Sequence, residues 1–288
     1  MLSILIPIYQ ENCVKLIHDL VEQANKLTCD YEILVFDDCS PLIPQENKVL
    51  SQIPKVEYKE LEENLGRSKI RNYLSDCANG DILLFLDGDS GIVRDDFLKK
   101  YLREIEKYDI VRGGTVYCSK DKMPKGCDLH WKYGTKVESN KGLKNKDMFT
   151  TNNFCIRKSV FSKVRFREDI KGYGHEDTLF KFDLDKQLFS FCNIDNPVEH
   201  LGIKDFKDFI QSTETAVVNL KKIYQKNENL IKEIRLVKSY NKLSKLGFDK
   251  VYSKFFLMTR KIMLNLLATK NPSLFILNLY KLGVYTIS

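Results

Sequence analysis

A run of five apolar residues, Ile82 to Leu86, ends directly in Asp87-Gly88-Asp89. A short apolar run bounded by turn residues is typical of a buried strand in a parallel sheet, and open α/β sheets bind ligands at the carboxyl ends of such strands. Two carboxylates one residue apart can hold Mg²⁺ or Mn²⁺ against a diphosphate, because these ions keep few protein ligands and share the rest with phosphate and water. The same residues also fit an ordinary surface turn.

The N-terminal half alternates between strand and helix patterns. Leu2 to Ile8 and Tyr31 to Ser40 are typical of strands, and the amphipathic stretch from Asn12 to Leu27 between them is typical of a helix. Further helices are predicted near residues 45–52, 68–77 and 95–107, and a further strand at 56–61. This rhythm predicts an α/β fold with a mostly parallel sheet flanked by helices.

The pattern changes in the second half. Residues 119–148 are rich in Lys, Gly and Asn and predict a long loop, which in a compact domain is often functional. From Asp205 onward the pattern predicts a helical C-terminal extension. We therefore expect a catalytic domain over residues 1–205 and a basic helical region over residues 206–288.

Composition and cysteine usage narrow the class of protein. The 288 residues are 43% hydrophobic, which is ample for a core. The eight cysteines are scattered without a Cys-x-x-Cys pair, so neither a zinc site nor a disulfide framework is indicated. The apolar run at residues 2–8 is too short for a secretory signal. We expect a cytoplasmic protein.

Charge is unevenly distributed along the chain. Residues 206–288 contain 15 Lys and Arg against 5 Asp and Glu, whereas residues 1–205 contain 31 against 34. Residues 251–279 are rich in Phe, Leu, Ile and Met, but no apolar run approaches the roughly 18 residues that span a bilayer. The basic helices could lie on the inner face of an anionic membrane, or they could pack on the catalytic domain or form a homodimer. No nucleic-acid partner is expected.

A second acidic strand end and two arginines accompany the first motif. Asp38 follows the apolar strand ending Val35-Phe36-Asp37, and its carboxylate can accept a hydrogen bond from a base N–H or a ribose hydroxyl. Asn64-Leu65-Gly66 opens a helix that carries Arg67 and Arg71. Being four apart, the arginines share one helix face and could contact a phosphate or a nucleobase, although each alone also fits a solvent-facing position.

The first strand with Pro7, Ile8, Tyr9 and Glu11, together with VFDDCS, NLGRSKIRN and FLDGDS, resembles family 2 glycosyltransferases in order and spacing over roughly residues 1–200. This resemblance implies a GT-A fold and a divalent cofactor, Mn²⁺ or Mg²⁺. Ile70 departs from the family, which usually has Ala at that position. The resemblance implies nucleotide binding by Pro7, Ile8, Tyr9, Glu11, Asp38, Asn64, Arg67, Arg71, Asp87 and Gly88.

The resemblance extends to the second half of the chain. Thr151 to Arg157 resembles the segment that lines the sugar pocket, which points to Asn152 and Asn153. In Gly172-Tyr173-Gly174-His175-Glu176-Asp177, the glycines free the backbone to approach substrate, and acids are favoured at a helix start. The resemblance implies that Asp177 is the catalytic base and that Glu176 is a second catalytic residue that holds acceptor hydroxyls. It also implies that Gly174 and His175 are part of the acceptor pocket. His200 resembles a third metal ligand beside Asp87 and Asp89.

These residues predict a metal-dependent inverting glycosyltransferase of polysaccharide biosynthesis. The donor would be a nucleotide sugar, expected to be UDP-linked, and the transferred group a hexosyl or N-acetylhexosaminyl unit. The acceptor would be a hydroxyl of a saccharide or lipid-linked glycan. A cation neutralises the leaving diphosphate, and a carboxylate accepts the proton of the acceptor hydroxyl.

Three alternatives compete with this prediction. A nucleotidyltransferase would carry a Gly-rich basic loop after the first strand, where this chain has PIYQEN. A glycoside hydrolase needs carboxylates on two sides of a bond, which adjacent residues provide poorly. A catalytically inactive nucleotide- or glycan-binding module is disfavoured by the intact acids at positions 87, 89, 176 and 177.

Overall fold

The computed structural model describes residues 1–139, 149–169, 174–226 and 234–288. The strands are β1 (Leu2–Ile8), β2 (Tyr31–Asp37), β3 (Val56–Glu60), β4 (Ile82–Leu86), β5 (Ser90–Ile92), β6 (Ile110–Arg112), β7 (Thr115–Val116), β8 (Asn153–Arg157), β9 (Phe191–Asn193) and β10 (Val198–His200). The α-helices are α1 (Val14–Ala24), α2 (Arg67–Cys77), α3 (Phe97–Ile105), α4 (Asp128–Tyr133), α5 (Lys158–Phe161), α6 (Glu176–Asp185), α7 (Phe206–Lys226), α8 (Arg235–Lys245), α9 (Asp249–Leu267) and α10 (Leu274–Ile287).

A central sheet of seven strands has the order β3-β2-β1-β4-β8-β6-β9. The first four strands in this order are parallel, whereas β8 runs antiparallel to both β4 and β6. A smaller three-stranded sheet has the order β5-β10-β7. The predicted fold class, a mostly parallel sheet flanked by helices and followed by C-terminal helices, is confirmed.

The two faces of the central sheet bury two separate apolar clusters. Along β1, Ile4 and Ile6 face one cluster and Leu5 faces the other, as the period of two in a strand requires. The first cluster also contains the apolar side of α1 and α3, and the second contains apolar residues of α2, α5 and α6. Because both faces are covered, the interior strands β1, β2 and β4 are largely apolar, whereas β3, at the edge of the sheet, carries polar and exposed residues.

The chain divides into two compact units. Unit 1 comprises Met1–Cys118, the described residues of 137–171, and Glu176–Gly202. Unit 2 comprises Ser119–Lys136, the described residues of 172–175, and Ile203–Ser288. The boundary predicted at residue 205 stays a prediction about folding domains.

Within unit 2, the helices pack through large side chains. Phe256 of α9 lies against Gly283 of α10, where an added Cβ would come within 2.1 Å of the ring. Arg260 donates to Glu214 of α7 at 2.8 Å, and the Tyr280 hydroxyl donates to the same carboxylate. In the described chain, no helix combines the length and the apolar character needed to cross a membrane.

The prediction of a loop over residues 119–148 is wrong in part. Residues 128–133 form α4, and π-helical turns follow over Gly134–Glu138, while residues 140–148 lie outside the described residues. The ring of His130 stacks on Phe209, and its Nδ1 accepts a hydrogen bond from the Lys204 N–H. These contacts inside unit 2 stabilise the helix. Composition alone did not indicate it, because composition does not reveal which polar residues have buried partners.

Candidate active site

The carboxyl ends of three neighbouring parallel strands place acidic residues at one edge of the central sheet. Glu11 follows β1, Asp38 follows β2 and Asp87 follows β4, and β1 pairs with both other strands. A small open cleft of about 90 Å³ lies at this edge. It is lined by Pro7, Ile8, Tyr9, Glu11, Asp38, Arg67, Ile70, Arg71, Asp87 and Asp89.

Asp38 fixes the loop that precedes α2. Its two carboxylate oxygens accept hydrogen bonds from the N–H groups of Leu65 at 2.6 Å and Gly66 at 2.9 Å. The side chain of Asn64 in turn donates to the Asp38 carbonyl at 2.7 Å. Burial raises the pKa of Asp38 despite the two backbone hydrogen bonds, which lower it. Gly66, at φ 79°, has a conformation that other residues adopt only with strain.

The two arginines of α2 connect different acids. Arg71 is buried and its Nη2 lies 2.5 Å from Asp87 Oδ1, while its Nη1 donates to the Arg67 carbonyl. Arg67 Nη1 lies 3.3 Å from Glu176 Oε1. The Arg71 Nε and the Glu176 Oε2 are buried without a hydrogen-bond partner among the described residues. Unpaired polar atoms of this kind suit a polar ligand, because leaving them unsatisfied is costly.

A cluster of acids surrounds Asp89. His200 Nδ1 lies 3.3 Å from Asp89 Oδ2. Burial, together with the negative charges of Asp89 and Asp87, raises the pKa of Glu11 to about 8. Burial alone would lower the pKa of His200, but the hydrogen bond and the charge of Asp89 raise it above its ordinary value. The Glu11 carboxyl group is therefore close enough to Asp87 and Asp89 for their negative charges to disfavour its own ionisation.

Two glycines leave space for these acids. A Cβ added to Gly88 would lie 2.5 Å from Ile8 Cγ2 and 2.8 Å from Glu11 Oε2. A Cβ added to Gly202 would lie 2.2 Å from Asp89 Oδ2. Larger residues at either position would displace a carboxylate of the cluster.

Glu176 and Asp177 begin α6, as the sequence predicted. Burial, together with the charges of Glu176 and Glu138, raises the pKa of Asp177 to about 7. The Thr178 N–H donates to Asp177 Oδ1 at 2.6 Å and opposes it. In contrast, the pKa of Glu176 is lowered overall. Burial alone would raise it, but the charges of Arg67 and Arg71 outweigh this effect. The pKa values of these two neighbouring carboxyl groups are thus shifted in opposite directions.

Tyr117 and Glu138 are site residues that the sequence did not reveal. The Tyr117 hydroxyl donates to Glu138 Oε2, and the Tyr117 ring stands edge-on to His200 at 5.4 Å between centroids. The charge of Glu138 raises the pKa values of both His200 and Asp177. The charge of Glu138 therefore acts on both His200 and the predicted base Asp177. No motif marks it, because it sits in a segment whose composition resembles a surface loop.

The predicted sugar-pocket residues have varied surroundings. Asn153 is fully buried: its Nδ2 donates to the carbonyls of Gly114 and Asn196, and its Oδ1 accepts from the Tyr101 hydroxyl. The Asn152 side chain donates to Thr115 Oγ1 at 2.8 Å, and its carbonyl accepts from the Asp87 N–H. Asn152 Oδ1 is buried without a partner in the described chain.

The remaining two members of that set, Gly174 and His175, belong to unit 2. Both have positive φ, 97° and 74°. A Cβ added to Gly174 would lie 2.8 Å from the Ala216 Cβ, so a glycine fits this position best. The roles predicted for all four residues stay predictions.

The donor set around Asp89 suits a hard divalent cation. Carboxylate oxygens are the ligands that Mg²⁺ prefers, Mn²⁺ accepts carboxylates and imidazoles, and a cation would relieve the repulsion that raises the Glu11 pKa. Asp87 is engaged by Arg71. Over residues 1–139, 149–169, 174–226 and 234–288, no three His, Cys, Asp or Glu side chains are positioned as a ready-made metal site.

The parallel strands, the acidic sheet edge and the two arginines of α2 are features of the class of α/β proteins whose ligands bind at the carboxyl ends of the strands. The family model described as "Glycosyl transferase family 2" matches residues 3–165. The chain belongs to this family and is a glycosyltransferase. The comparison with curated proteins finds no match.

Solved structures share the fold at low sequence identity. The mannosyltransferase PcManGT of Pyrobaculum calidifontis, in complex with GDP-Man and Mn²⁺, is 12% identical with a TM-score of 0.60, and the match covers 99% of this chain and 84% of that one. S. aureus TarS is 19% identical with a TM-score of 0.50 over 75% of this chain, and this chain spans only 39% of that structure. A shorter form, TarS 1–349, is 18% identical with a TM-score of 0.50, covering 99% and 90% of the two chains.

Proposed function

We propose that this glycosyltransferase is metal-dependent and inverting, and that it transfers a hexosyl or N-acetylhexosaminyl group from a nucleotide sugar to a saccharide or lipid-linked glycan hydroxyl. One observation carries the proposal. Arg71 pairs with Asp87 at the sheet edge, and Arg67 on the same helix face pairs with Glu176 beside Asp177. One short helix thus joins the proposed nucleotide side of the cleft to the proposed base.

The leaving group explains the arginines and the acids together. A nucleotide sugar departs as a nucleoside diphosphate, whose developing charge needs cationic partners. The unpaired Nε of Arg71 is one donor for this charge. A Mn²⁺ or Mg²⁺ ion held by Asp89, Asp87 and His200 would supply Lewis-acid stabilisation of the diphosphate. The PcManGT complex with Mn²⁺ and GDP-Man supports a metal and a nucleotide sugar as the first ligands to test.

Asp177 has the properties of a general base. A base works best when its pKa lies near the working pH, and burial and the charge of Glu176 bring the pKa of Asp177 to about 7. In our proposal, Asp177 accepts the proton of the acceptor hydroxyl as the oxygen attacks the anomeric carbon. Attack on the face opposite the diphosphate inverts the anomeric centre. Glu176, kept ionised by Arg67, would hold further acceptor hydroxyls by accepting their hydrogen bonds.

A donor screen with matched variants tests the proposal. UDP-, GDP- and dTDP-sugars are incubated with the full chain and Mn²⁺, and release of nucleoside diphosphate is measured with and without saccharide acceptors. We expect UDP-sugars to be the preferred donors. Asp177→Asn is expected to keep donor binding and lose at least ~100-fold in transfer.

Asp185→Asn, on the exposed end of the same helix, is the control and is expected to leave transfer unchanged. Full activity of Asp177→Asn would remove Asp177 from its role. Absence of any released nucleoside diphosphate with every donor would refute the catalytic proposal. Release of a sugar 1-phosphate instead would indicate nucleotidyl transfer, because transfer of the nucleoside monophosphate breaks the bond between the two phosphates.

A further inference from the structure

Helix α9 has an exposed apolar face. The side chains on this face recur at spacings of three or four residues, so they form one continuous stripe along the helix. We call this set the α9 stripe; it consists of Val251, Phe255, Met258, Ile262 and Leu266. Met258 is 81% exposed, and the other four are exposed by 48% to 61%.

The opposite face of α9 holds the helix in unit 2. Phe256 and Leu267 are fully buried, and Met263 is nearly so. Tyr252 also donates from its hydroxyl to the Leu279 carbonyl of α10. The buried face of α9 supplies the contacts with the rest of unit 2, so the α9 stripe is left on the surface of the unit.

Lysines line one edge of the stripe. Lys250, Lys254 and Lys261 are exposed and, at 100° per residue, lie together on the side next to Met258 and Val251. None of the three forms an ion pair with a described residue. Asp249, in the first turn, is the only acid of α9. An apolar stripe beside a band of positive charge is complementary to a lipid bilayer, whose interior is apolar and whose headgroups can be anionic.

We propose that α9 binds the surface of a membrane that contains anionic lipids, lying in the plane of the interface. The α9 stripe would enter the boundary between headgroups and acyl chains, and Lys250, Lys254 and Lys261 would contact lipid phosphates. The helix lies on the bilayer and does not cross it, because at 19 residues it carries lysines along its length. This inference is independent of the reaction proposed above.

Charge favours a membrane over a second copy of the chain. In an antiparallel two-fold pairing of two α9 stripes, the two lysine bands would lie on the same side of the contact and repel each other. An anionic bilayer instead attracts every lysine of the band at once. The surplus of 15 basic over 5 acidic residues in residues 206–288 acts in the same direction.

Vesicle flotation with the full chain tests the proposal. Vesicles of phosphatidylcholine alone are compared with vesicles that contain about one third phosphatidylglycerol, at low and high salt. We expect flotation with the anionic vesicles and a loss at high salt. The variant Phe255→Ser/Met258→Ser/Ile262→Ser and the variant Lys250→Gln/Lys254→Gln/Lys261→Gln should each bind the anionic vesicles at least about tenfold more weakly.

Matched substitutions elsewhere serve as controls. Leu42→Ser/Leu188→Ser removes two exposed apolar residues of unit 1 and should float like the unchanged chain. Circular dichroism and melting temperature verify that every variant is folded. Equal flotation of the unchanged chain and the stripe variant would overturn the proposal. A second pair of results would also overturn it. The unchanged chain would form a concentration-dependent dimer in analytical ultracentrifugation that the stripe variant does not form, and the unchanged chain would not bind anionic vesicles.

Discussion

Replacing Asp177 with Asn should make the protein more stable at alkaline pH while it removes transfer activity. The folded protein holds the pKa of Asp177 at about 7, against an ordinary value of 3.8. Folding therefore disfavours the charged form. A carboxyl group with a raised folded pKa lowers stability above its unfolded pKa, and the loss grows with pH until the folded pKa is passed.

The size of the effect follows from the shift. At 1.36 kcal/mol per pKa unit, the full penalty is about 4 kcal/mol at pH 8 and under about 1 kcal/mol at pH 4. Asn keeps the oxygen that accepts the Thr178 N–H hydrogen bond, so little else is lost. The gain at pH 8 should therefore be a few kcal/mol at most, and clearly larger than at pH 4.

Urea unfolding of the two proteins at pH 4, 6 and 8 measures this difference, with unchanged m-values as the check for two-state behaviour. Asp185→Asn is the control, because Asp185 is exposed and pairs with Lys181. We expect no pH-dependent gain for that variant. If Asp177→Asn is no more stable than the unchanged protein at pH 8, the buried and repelled state of Asp177 is refuted.

Three further predictions concern activity and ligand binding. In the unchanged enzyme, kcat/KM for transfer should rise about tenfold per pH unit below pH 7 and level off above it, because Asp177 must lose its proton to act as a base; a flat profile from pH 5 to 8 would contradict this. Asp89→Ala should weaken Mn²⁺-dependent nucleotide binding in calorimetry, and unchanged binding would count against Asp89 as a ligand. Gly202→Ala should weaken the same binding about tenfold, because its Cβ would lie 2.2 Å from Asp89 Oδ2, whereas Gly91→Ala, with a nearest contact of 3.5 Å, should not.

Much of the fold could be predicted because the central strands β1, β2 and β4 are largely apolar and are followed closely by acids. The four parallel strands and the helices between them follow directly from that pattern. The antiparallel insertion of β8 between β4 and β6 could not be predicted, since hydrophobic periodicity carries no information on strand direction. Helix α4 was missed because its buried His130 depends on partners more than 70 positions away.

The candidate site divides in the same way. Asp38, Arg67, Arg71 and Asp87 line one cleft, as expected for residues at neighbouring strand ends. Glu138 escaped prediction because its place in the site rests on tertiary contacts with Tyr117 and on charge interactions with Asp177 and His200. Contacts between side chains far apart in the chain leave no local pattern in the sequence.

The attachment of the 64–66 loop to Asp38 has a consequence for the speed and thermodynamics of ligand capture. The carboxylate already grips two consecutive amides at the start of α2, so the helix that carries both guanidinium groups is anchored before any ligand arrives. Ligand binding then requires little ordering of the backbone at the start of α2. The apparent affinity is therefore not reduced by the free-energy cost of forming a binding-competent conformation. Asp38→Ala would remove both hydrogen bonds, so the 64–66 loop would have to become ordered when the ligand binds.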